Sequence, residues 1–389
     1  MIRVDRQKKV LLNFIDIFGK LIFDNKFLKK KRILSVSEIN KLLIIEIWSI
    51  GDLIMITPLL IALRNKLPTV EITLLSKSYA SELLKYSPVN KYVFFDFPWT
   101  RFAGKYKVWK WNWLGLLKLI KRLREEKYDL SLDARGDFRN NLLSFLIGAK
   151  RRIGYDWTGG GYFLTDVAQF DYNNGHRVDA WLNLLNYLGI KVESPKPYLS
   201  VAKDEEEWAE SFLREKGIGE GDLVIGIHPG ARIKTRCWPL DRFAEVADYI
   251  KDNYKSKIIV FIEPDDYGQD IPIKKEHLKV KVSLRQLIAL IKQLNLLICN
   301  DGGAMHIATA VDTPVVAIFG PTNPVWFGPY GNNHSIIIKE DIKCRPCFDY
   351  CKYKEPFCIT KISVEEVLKE VDSKIKDINL RRAVNEFLI

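Results

Sequence analysis

Two features of membrane and exported proteins are missing from this sequence. It has no stretch of eighteen or more uncharged apolar residues, so we expect no transmembrane helix. Its N-terminus lacks the compact apolar core and the small-residue cleavage site of a signal peptide. We therefore expect a cytoplasmic protein, whose six cysteines stay reduced unless a metal binds them.

Signals of several other protein classes are also missing. A Gly-x-Gly-x-x-Gly pattern does not occur, which argues against a nicotinamide-dependent Rossmann enzyme. The sequence contains no internal repeat and no low-complexity segment, and 47% of its 389 residues are hydrophobic. This length and composition exclude a disordered chain and predict two domains, each with its own hydrophobic core.

Positive charge is concentrated at one end of the chain. The net charge is +12, and residues 1–41 contain eleven Lys or Arg against four Asp or Glu. Because the remainder is only mildly basic, the pattern argues against nucleic acid as a partner. Residues 9–24 have the period of an amphipathic helix, and a basic run follows at 29–32. This extension, residues 1–40, is either a helix packed on a domain surface or an anchor on anionic lipid.

After residue 40 the pattern alternates between apolar strands and amphipathic helices. This alternation predicts an α/β protein, with parallel sheets covered by helices on both faces. Strands are predicted at 42–48, 70–75, 92–95, 128–132, 223–228, 258–261, 296–299 and 315–319, and helices up to Leu67 and at 118–126, 243–253 and 284–293.

The pattern restarts after a proline-containing, acidic segment at 189–221. We therefore predict an N-terminal domain at 41–200, a C-terminal domain at 201–372 and a tail at 373–389. Ligands of doubly wound sheets bind at the carboxyl ends of the strands. The functional site is thus expected in a cleft between the two halves.

A carboxylate follows the glycine of the first strand–helix turn, Trp48-Ser49-Ile50-Gly51-Asp52. Asp52 is a candidate catalytic residue, because a carboxylate at this end of a strand is expected to face the cleft. The alternative is structural, since Asp is a favoured helix N-cap residue and Gly is a favoured turn residue.

Three turns of the second half suit an anionic ligand. The segment 300–308 runs from a strand through two glycines into a helix, where backbone N–H groups and the helix N-terminus favour an anion. Three cations follow the strand that ends at His228, and the turn at 319–324 lies at the same predicted sheet edge. Together they predict a diphosphate site. The alternatives are a solvated loop for the cations and a helix-surface or core position for His306.

Aromatic and cationic residues alternate between Trp99 and Trp113, a segment that holds four of the ten Trp. One interpretation is a partly packed insertion with exposed charges. We favour an acceptor loop, whose cations meet acidic sugars or phosphates and whose rings stack on sugars or enter the lipid interface. Its cations are Arg101, Lys105, Lys107 and Lys110.

Four cysteines fall within fifteen residues, at Cys344, Cys347, Cys351 and Cys358. Four thiols at this spacing could bind a structural zinc ion or an iron–sulfur cluster. They could also form two disulfides if oxidised, or stay free. The cluster lies beyond the donor motifs, so we assign it no catalytic role.

Taken in order, these motifs resemble those of the ADP-heptose:lipopolysaccharide heptosyltransferase family, glycosyltransferase family 9. The similar segments are 44–68, 133–136, 150–155, 228–231, 238–243, 300–306 and 319–324. The resemblance implies the GT-B fold, two Rossmann-like doubly wound domains facing a central cleft. It also implies an inverting transfer that requires no cofactor, with Asp52 as the general base that takes a proton from the acceptor hydroxyl.

The resemblance also implies the substrate-binding residues. Arg236 stands where the family usually has Lys, and Gly302 where it usually has Thr, so backbone N–H groups must contribute more there. Asp266 is carried over as a candidate ribose contact, and Arg135 joins the acceptor-site cations. The implied donor-binding residues are Gly230, Lys234, Arg236, Asp266, Asp301, Gly302, Gly303, Ala304, Met305, His306 and Thr322.

We therefore expect a glycosyltransferase, peripheral on the cytoplasmic face of the inner membrane. It would move a sugar, with heptose from ADP-heptose as the candidate, to lipopolysaccharide or another cell-surface glycan. One alternative is a GT-B-like sugar-nucleotide epimerase, which would use the same donor without an acceptor loop. The other is a non-catalytic glycan-binding protein with a decayed site.

Overall fold

The computed structural model describes residue 19 and residues 34–101, 107–171, 173–192, 196–347 and 351–386. Apart from Gly19, the helix predicted at 9–24 and the basic run at 29–32 lie outside the described residues. The chain divides into two compact units, Met1–Pro195 and Lys196–Ile389. Every helix in the described part of the chain is too short or too polar to span a lipid bilayer.

A parallel sheet forms the centre of the first unit. Its strands are β1 Lys41–Ile45, β2 Glu71–Ser76, β3 Lys91–Phe94, β4 Leu130–Asp133, β5 Arg151–Gly154 and β6 Asp166–Val167. Its helices are α1 Ile50–Met55, α2 Thr57–Lys66, α3 Ala80–Leu83, α4 Trp113–Glu125, α5 Phe138–Ile147 and α6 Arg177–Asn186. The strands lie in the order β3-β2-β1-β4-β5-β6, which reverses direction between β1 and β4.

The second unit repeats this arrangement. Its strands are β7 Val224–His228, β8 Lys257–Phe261, β9 Leu278–Val280, β10 Leu296–Asn300, β11 Val315–Phe319 and β12 His334–Ile338. Its helices are α7 Lys203–Glu215, α8 Leu240–Tyr254, α9 Leu284–Lys292, α10 Gly303–Ala310, α11 Pro324–Phe327, α12 Phe357–Thr360 and α13 Val364–Glu386. The order is β12-β11-β10-β7-β8-β9, so the reversal lies between β7 and β10.

The central strands are buried on both faces, which explains their continuous apolar sequences. Leu42, Leu43 and Ile44 of β1 are fully buried, and every residue of β10 and β11 is buried. The predicted α/β class with two doubly wound parallel sheets is therefore confirmed. The ends of each predicted strand lie within three residues of those of an observed strand.

The C-terminal helix completes the core of the second unit. Val367, Val371 and Ile375 of α13 are four residues apart on one face and join the same core cluster as Trp238. The indole N–H of the fully buried Trp238 donates to the Ile362 carbonyl at 2.9 Å. This packing carries the core past residue 373, at which the sequence predicts a tail.

Candidate active site

Each sheet presents candidate site residues at the point where its strand order reverses. Asp52 lies in α1, just after β1, and Arg135 follows the neighbouring β4. In the second unit Gly230 follows β7 and Asp301 follows β10. Because the loops after two adjacent parallel strands diverge at such a point, they leave a crevice for a ligand. Each sheet thus brings together residues of its own unit that are distant in the sequence. The separation is 83 positions in the first unit and about 70 in the second.

In the first unit, Asp52 closes a capping box at the start of α1. Its Oδ2 accepts the backbone N–H of Ser49 at 3.1 Å, and the Ser49 hydroxyl oxygen accepts the backbone N–H of Asp52 at 3.4 Å. Ser49 is therefore the N-cap residue, and Asp52 stands at the third helical position. The structural alternative, in which Asp52 is the N-cap residue, is therefore wrong about its position in the helix. The capping box fixes one carboxylate oxygen and the direction of the other.

The other oxygen of Asp52 faces a cation. Arg135 Nη1 lies 3.3 Å from Asp52 Oδ1, and the Arg135 guanidinium lies 4.2 Å from the centre of the Trp48 ring. Both side chains stay partly accessible, at 13% for Asp52 and 26% for Arg135. The pair is thus an oriented carboxylate beside a positive charge, open to an approaching substrate.

Two buried carboxyl groups lie next to this pair, and the sequence analysis does not single out either as a site residue. Burial raises the pKa of Glu46, and the nearby Asp52 charge raises it further. Burial also raises the pKa of Asp133 to about 7, although Asp133 Oδ1 accepts the backbone N–H of Arg135. The signal for Glu46 is its acidic side chain inside an otherwise apolar strand sequence.

In the second unit, Asn300 joins the two loops at the reversal point. Its amide nitrogen donates to the Pro229 carbonyl at 2.6 Å, and its amide oxygen accepts the Trp238 backbone N–H at 3.0 Å. The loop that starts at Gly230 is therefore held against the end of β10. A Cβ on Gly302 would lie 3.8 Å from the Gly230 carbonyl oxygen, so the two glycine turns are neighbours.

The Asp301 carboxylate contacts a guanidinium and a hydroxyl group. Arg236 Nη1 lies 3.2 Å from Asp301 Oδ2, and the Thr322 hydroxyl donates to the same oxygen. The Asp301 side chain is only 4% exposed, whereas that of Arg236 is 20% exposed. The buried carboxylate thus orients the guanidinium, and the guanidinium is the member of the pair that a ligand can reach.

The N-terminus of α10 directly follows this cluster. Gly302 is the residue before the helix, and Gly303 and Ala304 form its first turn. Met305 and His306 are buried within the helix, so His306 packs in the interior, as its core alternative states. The free backbone N–H groups of a first helical turn and the helix dipole attract an anion. Lys234 is an exposed residue in the neighbouring 3₁₀ turn Lys234–Arg236.

The acidic segment after β8 places a different residue beside this site. Asp266 is exposed, has a positive φ of 67° and forms an ion pair with Lys281. Glu263 lies against Gly230, where any Cβ would come within 2.2 Å of Glu263 Oε1, and His228 Nε2 lies 3.8 Å from the same oxygen. Glu263 is therefore the carboxylate that the fold brings next to the glycine turn, and its position directly after β8 is the sequence signal for it.

Arg345 connects the cysteine-containing segment to the turn after β11. Its guanidinium donates to the carbonyls of Gly320 and Thr322, the latter at 2.8 Å, and to that of Lys339 at 2.9 Å. The Cys347 backbone N–H donates to the Pro321 carbonyl at 3.0 Å. These contacts hold the backbone of Thr322, whose hydroxyl contacts Asp301. No local sequence pattern indicates Arg345, because its carbonyl partners are distant in the sequence.

The predicted acceptor cations do not form one cluster in the described residues. Arg101 Nε donates to Asp96 Oδ2 at 2.9 Å, and both side chains are exposed. Lys107 and Lys110 are exposed at the 3₁₀ turn Val108–Lys110, whereas Arg135 contacts Asp52. Lys105 lies outside the described residues.

In the part of the chain that the structure describes, the four clustered cysteines form no disulfide bond. Burial, and to a smaller extent the neighbouring Cys347, raise the pKa of the Cys358 thiol to about 11. Within the described ranges, no three His, Cys, Asp or Glu side chains are arranged to hold a metal ion. The structural zinc therefore stays a prediction from the cysteine spacing.

Comparison with known proteins identifies the relatives of this fold and site. The family model of glycosyltransferase family 9 (heptosyltransferase) matches residues 116–357, more than half of the chain. The chain is 26% identical to the lipopolysaccharide core heptosyltransferase OpsX of Haemophilus influenzae over 67% of its own length and 77% of that protein. It is 24% identical to lipooligosaccharide heptosyltransferase 2 of Campylobacter jejuni over 85% of its length and 97% of that protein.

A solved structure has the same architecture. The E. coli ADP-heptose lipopolysaccharide heptosyltransferase II superposes with a TM-score of 0.66 at 21% identity, covering 87% of this chain and 99% of that one. At this identity the likeness concerns the fold, and it confirms the predicted GT-B class.

Proposed function

The chain belongs to glycosyltransferase family 9, the heptosyltransferase family, and we propose that it transfers a heptose from ADP-heptose to a lipopolysaccharide or related cell-surface glycan. The named activities of its relatives support this donor and this acceptor class. Family membership makes the protein a transferase and favours transfer over the epimerase and non-catalytic alternatives. One observation carries the proposal. The partly exposed carboxylate of Asp52 lies at the reversal point of the first sheet, and the guanidinium of Arg236 and the N-terminus of α10 lie at that of the second.

Asp52 is the proposed general base. It accepts the proton of the acceptor hydroxyl while that oxygen forms a bond to the anomeric carbon of the donor sugar. The bond from this carbon to the diphosphate breaks, and the leaving diphosphate keeps the electron pair, so the anomeric configuration inverts. Such proton transfer typically contributes about 10²–10⁴-fold to the rate. The capping box with Ser49 supports this role, since it holds the carboxylate in one orientation.

The second unit binds the donor in this proposal. The backbone N–H groups of Gly302, Gly303 and Ala304 and the guanidinium of Arg236 would stabilise the diphosphate as its negative charge grows. Lys234 adds a flexible positive charge. Met305, His306 and Thr322 then act by packing and by holding Asp301. For the acidic ribose contact we propose Glu263 beside Gly230 in place of Asp266.

For the acceptor, we propose that Arg135 contacts an anionic group near the reacting hydroxyl. Arg101, Lys105, Lys107 and Lys110 would contact phosphates or acidic sugars farther along the glycan. Because the acceptor is proposed to be lipid-linked, the protein would work as a peripheral protein on the cytoplasmic face of the inner membrane.

Catalysis in this proposal uses no cofactor. A structural zinc ion at the four cysteines is a separate proposal with its own test. Support for zinc comes from the spacing of the four cysteines alone, since the described side chains do not form a ligand set. Metal analysis of protein purified without chelator should find about one zinc per chain. Replacement of Cys344 and Cys347 by Ser should remove it. Absence of metal from both proteins would leave the thiols free.

The decisive test of function is transfer with purified full-length protein. ADP-heptose, ADP-glucose and UDP-glucose are compared as donors with a heptose-deficient lipopolysaccharide acceptor. Asp52→Asn should lower the transfer rate by about 10²-fold or more, while ADP affinity by calorimetry stays unchanged. Asp156→Asn, at an exposed carboxylate of the same unit, is the control. Full activity of Asp52→Asn would refute the base assignment, and absence of transfer from every donor would refute the function.

A further inference from the structure

A group of large apolar side chains is exposed around the start of α4. The exposed fractions are 47% for Val108, 73% for Trp109, 47% for Trp113, 74% for Leu114 and 61% for Leu117. We call these five residues the docking patch. They fall within ten consecutive positions, and such a concentration of exposed apolar side chains marks an interaction surface.

The docking patch is held firmly by the core of the first unit. Asn112 caps α4 by accepting the Gly115 backbone N–H at 2.9 Å, and the Trp113 indole N–H donates to the Val108 carbonyl at 2.9 Å. Trp111 packs against Trp113 on one side and against the buried Trp99 on the other, with ring centres 5.2 and 5.6 Å apart. The exposed side chains are thus the outer surface of an ordered element.

The opposite face of α4 explains why these side chains point outward. Leu116, Leu119 and Leu123 are buried in the core of the first unit. Leu114 and Leu117 lie on the other side of the helix, and Lys118 and Lys121 continue their rows four residues later. The helix therefore has a second, solvent-exposed face that is apolar at its N-terminal end and basic beyond it.

Charge decides which partner fits this surface. The patch is bordered by exposed cations, and the nearby Glu126 is already paired with Lys41 and Lys91. A second copy docked face to face would bring like charges together, which disfavours a symmetric dimer through this patch. Tryptophan beside leucine and lysine is the composition of segments that lie in the interface of anionic membranes. The exposed cations are Lys107, Lys110, Lys118, Lys121, Arg122 and Arg124.

We propose that the docking patch binds an anionic lipid bilayer. Trp109, Trp113, Leu114 and Leu117 enter the interfacial region, and the cations of α4 contact lipid phosphates. This inference rests on the proposed function only in explaining why the protein would bind a membrane: binding places the first unit at the membrane that carries the acceptor. It assigns the contact to α4, a different part of the chain from the basic extension 1–40.

Vesicle flotation with full-length protein tests the docking patch. Vesicles of phosphatidylcholine alone are compared with vesicles that also contain phosphatidylglycerol. Leu114→Ser/Leu117→Ser should lower binding to the anionic vesicles by at least ~10-fold. Leu380→Ser in α13, at an equally exposed leucine, should leave binding unchanged. Lys118→Gln/Lys121→Gln/Arg122→Gln should lower binding to anionic vesicles and make it less sensitive to salt.

Fluorescence adds a measurement that does not depend on affinity. Brominated lipids should quench part of the tryptophan emission, and Trp109→Phe should reduce that quenching, leaving the part that comes from Trp113. Unchanged vesicle binding of Leu114→Ser/Leu117→Ser would overturn the proposal, as would loss of all binding on deletion of residues 1–33 alone. A dimer in sedimentation velocity that this double variant dissociates, with no vesicle binding by the wild type, would assign the patch to self-association and also overturn it.

The same variants separate this inference from the proposed function. With a water-soluble, delipidated acceptor, Leu114→Ser/Leu117→Ser should transfer sugar at the wild-type rate. Transfer by the wild type without vesicle binding would refute the docking patch and keep the transferase. Vesicle binding without transfer from any donor would do the reverse.

Discussion

Asp52 and Asp301 both follow a central strand, yet their side chains have different surroundings. Asp52 uses one oxygen in a capping box and directs the other toward Arg135, and it remains partly accessible. Asp301 is almost fully buried and receives Arg236 and Thr322 on the same oxygen. The first carboxylate can therefore meet a substrate proton, whereas the second fixes the direction of a guanidinium. Two aspartates in similar turns thus have different proposed roles.

Arg236 offers a test of the donor site at the residue scale. Arg236→Lys keeps the positive charge but loses the planar fork that reaches both Asp301 and a phosphate. ADP affinity, measured by calorimetry, should fall about 10-fold, as expected for the loss of one charge-assisted hydrogen bond. Arg214→Lys, at an exposed arginine in α7, is the matched control. Equal ADP affinity of Arg236→Lys and wild type would contradict this role.

Asp133 gives a prediction about stability and pH. Burial raises its pKa from 3.8 to about 7 in the folded protein. Between these two pH values the unfolded chain loses the proton and the folded chain keeps it, so the free energy of unfolding falls as pH rises. At one pKa unit per 1.36 kcal/mol, the loss amounts to at most about 4 kcal/mol by pH 7.

The variant Asp133→Asn cannot ionise and should lack this fall. Urea unfolding at several pH values between 4 and 7 should show its stability rising relative to wild type as pH increases. Asp156→Asn, at an exposed aspartate of the same unit, serves as the control. A constant difference between Asp133→Asn and wild type across this range would rule out a raised pKa for Asp133.

At the scale of elements, the cysteine-containing segment holds the turn after β11 in place, although this segment does not contact the donor in this proposal. The planar guanidinium of Arg345 binds three carbonyls, two of them in the turn Gly320–Thr322. Thr322 in turn donates to Asp301, which orients Arg236. Arg345 is therefore a positioning residue for the proposed donor site, three contacts away from the Arg236 guanidinium.

Replacing Arg345 by Lys should loosen this turn without unfolding the unit, because a lysine can replace only part of the three contacts. The KM for the nucleotide-sugar should rise several-fold, about 5-fold or more, with a smaller change in kcat. Circular dichroism should show unchanged secondary structure. Arg381→Lys, an exposed arginine in α13, is the control. A lower thermal midpoint with unchanged KM would reduce Arg345 to a structural residue.

At the scale of the whole molecule, the two units repeat one strand order but present different chemistry. In the first unit, acidic residues and Arg135 lie in or just after the ends of the central strands. In the second unit, the loops after the central strands contain glycines and Arg236. The repeated architecture provides two equivalent reversal points, and the side chains divide the proposed work between them. Donor binding should therefore involve the second unit alone.

Hydrogen exchange of the full-length protein can test this division. ADP should slow amide exchange at 230–236, 301–306 and 320–323, because bound phosphate shields the backbone N–H groups of these turns. Exchange at 49–55 and 133–139 should stay the same. AMP, which lacks the second phosphate, should protect 301–306 less than ADP does. Protection of 49–55 by ADP alone would place the nucleotide in the first unit and contradict the proposal.

The sequence by itself determined the fold class, the motif turns and eight of the twelve strands that the structure describes. Continuous apolar runs such as Leu42–Ile45 need burial on both faces, and a turn of glycine and aspartate after such a run marks the carboxyl end of a strand. These signals are local, so one segment is enough to interpret them. The relationship to family 9 follows from the same turns taken in order.

Only the tertiary structure decided which side chains meet. Glu263 rather than Asp266 lies against Gly230, because β8 lies next to β7 and Asp266 is exposed and paired with Lys281. Arg345 reaches the carbonyls of Gly320 and Thr322, and Glu46 shares its surroundings with Asp52 and Arg135. The physical reason is that burial, pKa and hydrogen-bond partners depend on which strands are neighbours, and strand order is a property of the whole sheet.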